Sequence, residues 1–118
     1  MVSVDPPLRS RPVTRLAKVG GESSASLFLV GEIDIANRDE LVALVRDALG
    51  RRITDVTLDM SGVTFIDCAG LGGVLQARSL AVQSGRSLRA ITLSLPARRL
   101  LELTHTLSTL ISEPTVGA

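Results

Sequence analysis

The sequence contains few of the side chains on which most enzymes and nucleic-acid-binding proteins depend. Its 118 residues include two phenylalanines, no tyrosine, no tryptophan, one cysteine and one histidine. So few aromatic side chains offer no stacking platform for single-stranded nucleic acid, and the single cysteine, Cys68, cannot form an internal disulfide. The single histidine, His105, excludes a histidine-based metal cluster and argues against a catalytic triad. The sequence therefore predicts no metal, no cofactor and no catalytic residues.

Charge and hydrophobicity are also moderate. Thirteen basic and twelve acidic residues give a formal net charge of +1, whereas a nucleic-acid surface normally needs a strongly basic face. No apolar run approaches the roughly 20 residues that span a bilayer, and residues 1–12 lack the apolar core of a signal peptide. We therefore expect a cytoplasmic protein that contacts neither membrane nor nucleic acid directly.

Strand and helix patterns alternate between two short tails. We expect a flexible N-terminal tail at residues 1–12, one folded domain at 13–112 and a C-terminal tail at 113–118. The periodicity predicts strands at residues 13–19, 27–33, 53–58 and 88–93, an optional last strand at 110–112, and helices at 38–50, at 69–84 and from Pro96 onward. The fold class is thus α/β, with a mainly parallel, mixed four- to five-stranded sheet and helices packed on it, in the order β-β-α-β-α-β-α and an optional last β.

Four local signals refine this prediction. The continuous apolar run at 27–33 is typical of a strand covered on both faces. Asn37, with Glu40 three residues later, predicts a helix N-cap with a capping box. His105 is interpreted as a surface residue that caps the last helix. The predicted buried helix positions are Leu71, Val74, Leu75 and Val82 in the second helix, and Leu100, Leu103 and Leu107 in the third.

The most distinctive segment joins the third strand to the second helix. Gly70, Gly72 and Gly73 occupy positions where a helix favours alanine, at a cost of roughly 1 kcal/mol each in a helix interior. Glycine allows another backbone to approach closely, and the N–H groups of a helix start attract negative charge, although a turn that simply needs a flexible backbone is the plainer interpretation. No Walker loop and no dinucleotide fingerprint is present. In open parallel sheets, function lies beyond the carboxyl ends of the strands, which singles out residues 31–37 and 59–72.

At this segment the chain resembles a known family. Phe65-Ile66-Asp67-Cys68-Ala69-Gly70-Leu71-Gly72 is similar to the signature of STAS domains, the anti-sigma-factor antagonists of bacteria. Three more segments agree in the same order: Gly31-Glu32-Ile33-Asp34 followed by Asn37, residues 56–63, and residues 96–104. The resemblance covers about residues 13–111.

The resemblance implies a SpoIIAA-like fold and a protein that binds an anti-sigma factor of the ATPase kinase type, releases a sigma factor and so regulates transcription. The implied partner-binding residues are Asp34, Asp67, Cys68, Ala69, Gly70, Leu71 and Gly72. It also implies a switch, in which the kinase phosphorylates a serine or threonine directly after the signature aspartate. Cys68 occupies that regulatory position here and Ala69 follows it, so neither carries a hydroxyl. Ser61 and Thr64 are the nearby alternative acceptors.

Several alternatives stay open at this stage. Asp67 is interpreted as an N-cap rather than a catalytic carboxylate, Cys68 as a packed small residue or a redox-sensitive thiol, and Asp34 as a turn residue or a partner contact. Besides the non-enzymatic antagonist, the sequence allows a scaffold protein that acts through STAS–STAS assembly, or a thiol enzyme that uses Cys68. The oligomeric state is either a monomer or a weak dimer.

Overall fold

The computed structural model describes residues 13–18 and 23–111 of the chain. Over these residues the elements are β1 (Val13–Lys18), β2 (Ser24–Ile33), α1 (Arg38–Gly50), β3 (Asp55–Ile66), α2 (Cys68–Gln83), β4 (Ser87–Leu93), α3 (Leu95–Leu103) and α4 (Leu107–Ile111). The predicted tails, at 1–12 and 113–118, lie outside the described residues. The predicted strand end at Val19 and the last predicted strand residue, Ser112, also lie outside them.

The strands form a sheet whose spatial order is the order of the chain, β1-β2-β3-β4. β1 is antiparallel to β2, whereas β2, β3 and β4 are parallel to one another. The predicted α/β class and mainly parallel sheet are therefore confirmed.

The connections place the helices on one face of this sheet. The β2–α1–β3 and β3–α2–β4 units both advance across the sheet in the same direction, and such crossovers are almost always right-handed. Two crossovers of the same hand and direction put both helices on the same side, where α1 packs against α2. Ala97 and Leu101 of α3, and Leu110 of α4, join the same buried cluster as Leu58 and Met60 of β3. The core thus lies between one sheet face and the helices.

This one-sided arrangement corrects the prediction that the second strand is covered on both faces. Leu27 and Leu29 of β2 are buried in the core, but Phe28 and Val30, which alternate with them, are exposed. The apolar run at 27–33 indicates two-sided burial only if helices flank both faces, which same-direction crossovers prevent.

Three further expectations are wrong. No fifth strand forms at residue 110, because Leu107–Ile111 is the short helix α4. β3 does not end at residue 58 but continues to Ile66. Val82 and Leu103 are exposed rather than buried, since Ala77, Ala81 and Leu101 face the core in their place. His105 does lie at the end of α3, where its N–H donates to the Glu102 carbonyl at a positive φ of 60°.

Asn37 precedes α1 as predicted, but the predicted capping box does not form. It is 1 % exposed and makes no side-chain bond to the helix start. Its Oδ1 accepts from the Asp34 N–H at 2.9 Å, and its Nδ2 donates to the Glu32 carbonyl at 2.7 Å. The amide therefore fixes the loop between β2 and α1, and with it the position of Asp34.

We expect Asn37→Ala to destabilise the protein by about 1–3 kcal/mol, because it leaves the Asp34 N–H and the Glu32 carbonyl without their partner in a buried setting. Urea unfolding followed by circular dichroism measures the change. Asp39→Ala, one residue into the helix and with a side chain that is 99 % exposed, is the control and should change stability by less than about 0.5 kcal/mol. Equal stability of the two variants would contradict a structural role for the Asn37 amide.

Candidate functional site

The candidate site lies where β2 and β3 end, beyond the reach of β4. The β3–β4 pairing stops at Met60 opposite Leu93, while β3 continues beside β2 as far as Ile66 opposite Ile33. α3 packs against β3. The carboxyl end of β3 therefore extends past the end of β4, where it is paired with β2 alone, and α2 begins just after it. This is the position beyond the carboxyl ends of parallel strands at which function is expected.

Two irregularities shape the extension. The β2–β3 register slips between Phe28 and Val30, and again between Gly31 and Glu32, so β3 contains one extra residue at each point. Such bulges re-aim side chains near the end of a strand. As a result Thr64 and Phe65, which are consecutive, are both exposed, whereas Val63 and Ile66 are buried.

Asp67 caps helix α2. Its backbone is extended (φ −111°, ψ −176°), and its Oδ1 accepts from the Gly70 N–H at 2.8 Å. The bond satisfies one of the N–H groups that a helix start leaves unpaired. The interpretation of Asp67 as an N-cap is thereby confirmed.

Gly70 allows α2 to contact the end of β2 through its backbone. A Cβ at this position would lie 2.1 Å from the Ile33 carbonyl oxygen, much closer than any side-chain atom can approach. The Asp67 N–H also donates to the Ile33 carbonyl, at 3.3 Å. Gly70 is therefore required by packing and is buried, so its side of the helix is not free for a partner.

Gly72 is in a different environment. A Cβ built there would lie 3.7 Å from Nη1 of Arg38, an ordinary contact, whereas one at Gly73 would lie 3.1 Å from the Arg38 Cβ. The Arg38 guanidinium extends along α2 and donates to Oε1 of Gln76 at 3.1 Å. Of the three glycines, Gly72 is thus the one that packing does not require, and it is half-buried beside an arginine.

The remaining predicted site residues divide into exposed and buried groups. Cys68 is exposed and Ala69 half-buried, both in the first turn of α2, whereas Leu71 is buried in the core. Asp34 is half-buried, and its Oδ1 accepts from the Ala36 N–H at 3.0 Å, which is the geometry of a turn residue. The start of α2 and the loop after β2 are adjacent. Gly70 and Leu71, however, are buried, so they contribute to this region by packing rather than by an exposed surface.

The two nearby hydroxyl residues differ in their surroundings. The Ser61 hydroxyl donates to Oδ1 of Asp59 at 2.7 Å, and the same oxygen accepts from the Ser61 N–H at 2.9 Å. Thr64 is exposed on the extension of β3. A phosphate on Ser61 would break this contact and face the Asp59 carboxylate, so the geometry disfavours Ser61 as a phosphorylation site.

The structure adds residues that the sequence pattern did not single out. Ile35, in the loop next to Asp34, and Phe65, just before Asp67, are exposed large apolar residues. Arg38 lies against Gly72 through its side chain. The available signal in the sequence was a large apolar residue within two positions of each predicted acid, Ile35 beside Asp34 and Phe65 near Asp67. Exposed apolar residues that cluster often mark a partner-binding surface.

Within residues 23–111, no group of three or more histidine, cysteine, aspartate or glutamate side chains could hold a metal ion. None of the described helices combines the length and the hydropathy that crossing a bilayer requires.

Comparisons with known proteins agree with this fold. Residues 17–108 match the family model described as "Mlab, STAS domain". The fold is similar to that of an anti-sigma factor antagonist from Mycobacterium paratuberculosis (TM-score 0.74, 18 % identity, 91 % of this chain and 89 % of that chain). It is also similar to the anti-sigma factor antagonist SpoIIAA in its unphosphorylated form (0.71, 18 %, 88 % and 90 %) and to the Bacillus cell fate determinant SpoIIAA in its phosphorylated form (0.66, 18 %, 88 % and 93 %). At such identities the likeness shows the fold alone. No curated protein has a significantly similar sequence.

The glycines of α2 allow a test with two matched substitutions. We expect Gly70→Ala to destabilise the protein by at least about 2 kcal/mol, because its methyl group overlaps the Ile33 carbonyl. Gly72→Ala should instead stabilise it by roughly 0.5–1 kcal/mol, since alanine favours a helix over glycine and its Cβ would make only an ordinary contact with the Arg38 guanidinium. Thermal and urea unfolding give both values. A similar loss of stability in the two variants would contradict the assigned packing.

Proposed function

We propose that this chain, which belongs to the STAS domain family, is an anti-sigma factor antagonist that binds an anti-sigma factor and thereby releases a sigma factor. The observation that carries the proposal is exposed Cys68 at the start of α2, which the Asp67 cap and the Gly70 contact hold beside the loop that contains Asp34. This is the surface that the sequence resemblance implies as the partner-binding region.

The chemistry of this surface supports binding rather than catalysis. Exposed Cys68, Ile35 and Phe65 and half-buried Gly72 supply apolar and small contacts, and Asp34 supplies a charge near them. A thiol nucleophile needs a base within hydrogen-bond reach, and among the described residues no side chain makes a hydrogen bond to Cys68. We therefore propose that the protein is not an enzyme. We further propose that it works in the cytoplasm.

Regulation by phosphorylation at the usual position is not part of the proposal. SpoIIAA is known in unphosphorylated and phosphorylated forms, whereas Cys68 and Ala69 have no hydroxyl to accept phosphate. A partner of the ATPase kinase type would thus bind this surface but could not phosphorylate it at Cys68 or Ala69. The antagonist would be constitutively active with respect to this switch.

Calorimetric titration against the anti-sigma factors of the source organism tests the proposed function. We expect Gly72→Glu to abolish binding, because a long charged side chain would stand on the docking surface. The fold should persist, since the Arg38 guanidinium lies close enough to pair with the new carboxylate.

Gly72→Ala is the matched control, because it also replaces glycine by a good helix former but adds one methyl group only. It should keep the affinity within about threefold of the wild type. The proposal is wrong if no anti-sigma factor binds the wild type, or if a folded Gly72→Glu variant binds as well as Gly72→Ala.

A second prediction concerns the position after Asp67. Incubation of the wild type with ATP and the anti-sigma factor that it binds should give no phosphoprotein by mass spectrometry. Cys68→Ser restores a hydroxyl in the same first turn of α2, and it should become phosphorylated. Cys68→Ala is the control without a hydroxyl. Phosphate on Thr64 or Ser61 of the wild type would show that the switch has moved to another residue.

A further inference from the structure

Arg38, the first residue of α1, brings a positive charge to the candidate site. Its guanidinium lies along α2, where Nη1, Nη2 and Cζ are 3.7, 3.9 and 4.0 Å from the position of a Cβ on Gly72. Cys68, Gly72 and Gln76 follow one another at intervals of four residues, so they share one face of α2. The charge of Arg38 is therefore beside the helix face that presents the exposed Cys68.

Both ends of the Arg38 side chain are held against α2. At its base, a Cβ on Gly73 would lie 3.1 Å from the Arg38 Cβ and 3.4 Å from the Arg38 carbonyl oxygen, so α1 begins in close contact with bare backbone of α2. At its tip, Nη2 donates to Oε1 of Gln76 at 3.1 Å. A side chain that is already oriented in this way loses less conformational entropy when it binds a partner.

The charge of Arg38 has little compensation among the described residues. Its ion pair there joins Nε to Oδ1 of Asp39 at 3.9 Å, and the Asp39 side chain is 99 % exposed, so the pair contributes little. Gln76, its hydrogen-bond acceptor, is neutral. The Arg38 side chain is nevertheless only 32 % exposed, so a partner that covered it would remove much of the water that still solvates the charge.

Asp34 does not neutralise Arg38 either. It lies in the loop before α1, and its Oδ1 accepts from the Ala36 N–H at 3.0 Å. Asp34 and Arg38, which both belong to the described part of the chain, form no ion pair with each other. The docking surface of the proposed function therefore combines one acidic and one basic group, each without a strong partner of opposite charge.

We propose that Arg38 is a specificity-determining residue of this docking surface, and that it binds a carboxylate from an aspartate or glutamate side chain of the anti-sigma factor. The inference rests on the proposed function and names chemistry that the partner must present. A guanidinium and a carboxylate form paired, charge-assisted hydrogen bonds. An apolar or neutral side chain in the same place would cover the cation without compensating its charge.

The inference also gives a physical reason why glycine suits position 72. A side chain longer than alanine would stand between the partner and the Nη atoms of Arg38. A carboxylate introduced there by Gly72→Glu would moreover occupy the guanidinium from within the chain. Gly72 thus keeps Arg38 accessible to a carboxylate from outside.

Calorimetric titration of the full chain with the anti-sigma factor that it binds, at about 0.15 M and about 1 M salt, tests this inference. Arg38→Gln should raise the dissociation constant at least about tenfold at the lower salt, because it leaves the partner carboxylate without its cation. The loss should shrink at the higher salt, which screens the pair in the wild type. Arg38→Lys, which keeps the charge, should lose less affinity than Arg38→Gln.

Arg46→Gln is the matched control, because it removes the same charge from an exposed arginine of the same helix. Position 46 lies about 12 Å further along α1, beyond the Debye length of about 8 Å at the lower salt. This variant should keep an affinity close to that of the wild type. Circular dichroism verifies that each variant is folded.

The outcomes separate this inference from the proposed function. If the wild type binds an anti-sigma factor and Arg38→Gln binds it equally well, Arg38 is not a contact, while the proposed function stands. The same conclusion follows if Arg46→Gln weakens binding as much as Arg38→Gln, or if the loss in Arg38→Gln is equal at both salt concentrations. Absence of binding by the wild type to any anti-sigma factor would overturn both.

Discussion

The approach of α2 to the end of β2 through bare backbone is the constraint on which the candidate site depends. Gly70 has no side chain between its Cα and the Ile33 carbonyl, and Asp67 donates its N–H to that same carbonyl. These contacts hold the first turn of α2 at the strand end. Asn37 holds the neighbouring loop from the other side, by bonding both Glu32 and Asp34. The loop and the helix start are thus both fixed against β2. A partner would therefore meet two segments whose positions relative to each other do not change.

Much of this could be predicted because local signals and tertiary structure agree. The alternation of strands and helices gave the α/β class, and Asp67 followed by glycines gave the cap and the helix start. The capping box was wrong because the Asn37 side chain has better partners in the preceding loop than in its own helix. β3 was predicted too short because the apolar pattern is interrupted after residue 58, whereas the strand in fact continues through a bulge between Asp59 and Gly62. A bulge is decided by pairing with β2, which a single strand's pattern does not contain.

Burial was the least predictable property, for a topological reason. Apolar residues in β2 are compatible with one or two covered faces, and only the direction of the crossovers decides between them. The role of each glycine in α2 was equally hidden. Gly70, Gly72 and Gly73 are alike in sequence, yet their surroundings differ: Gly70 touches backbone, Gly72 has room for a Cβ beside the Arg38 guanidinium, and Gly73 is tightly packed on Arg38.

The sheet order also bears on how the protein is made. Because the strands lie in the order of synthesis, each new strand pairs with the one that left the ribosome before it, and no strand has to insert between two that are already joined. Synthesis at about 5–20 residues per second delivers the strands in this order, and at every intermediate length the last strand is an edge with which the next strand can pair. The late helices α3 and α4 then complete the core. The same linear order that leaves one face of the sheet bare therefore lets the domain assemble vectorially, one strand at a time.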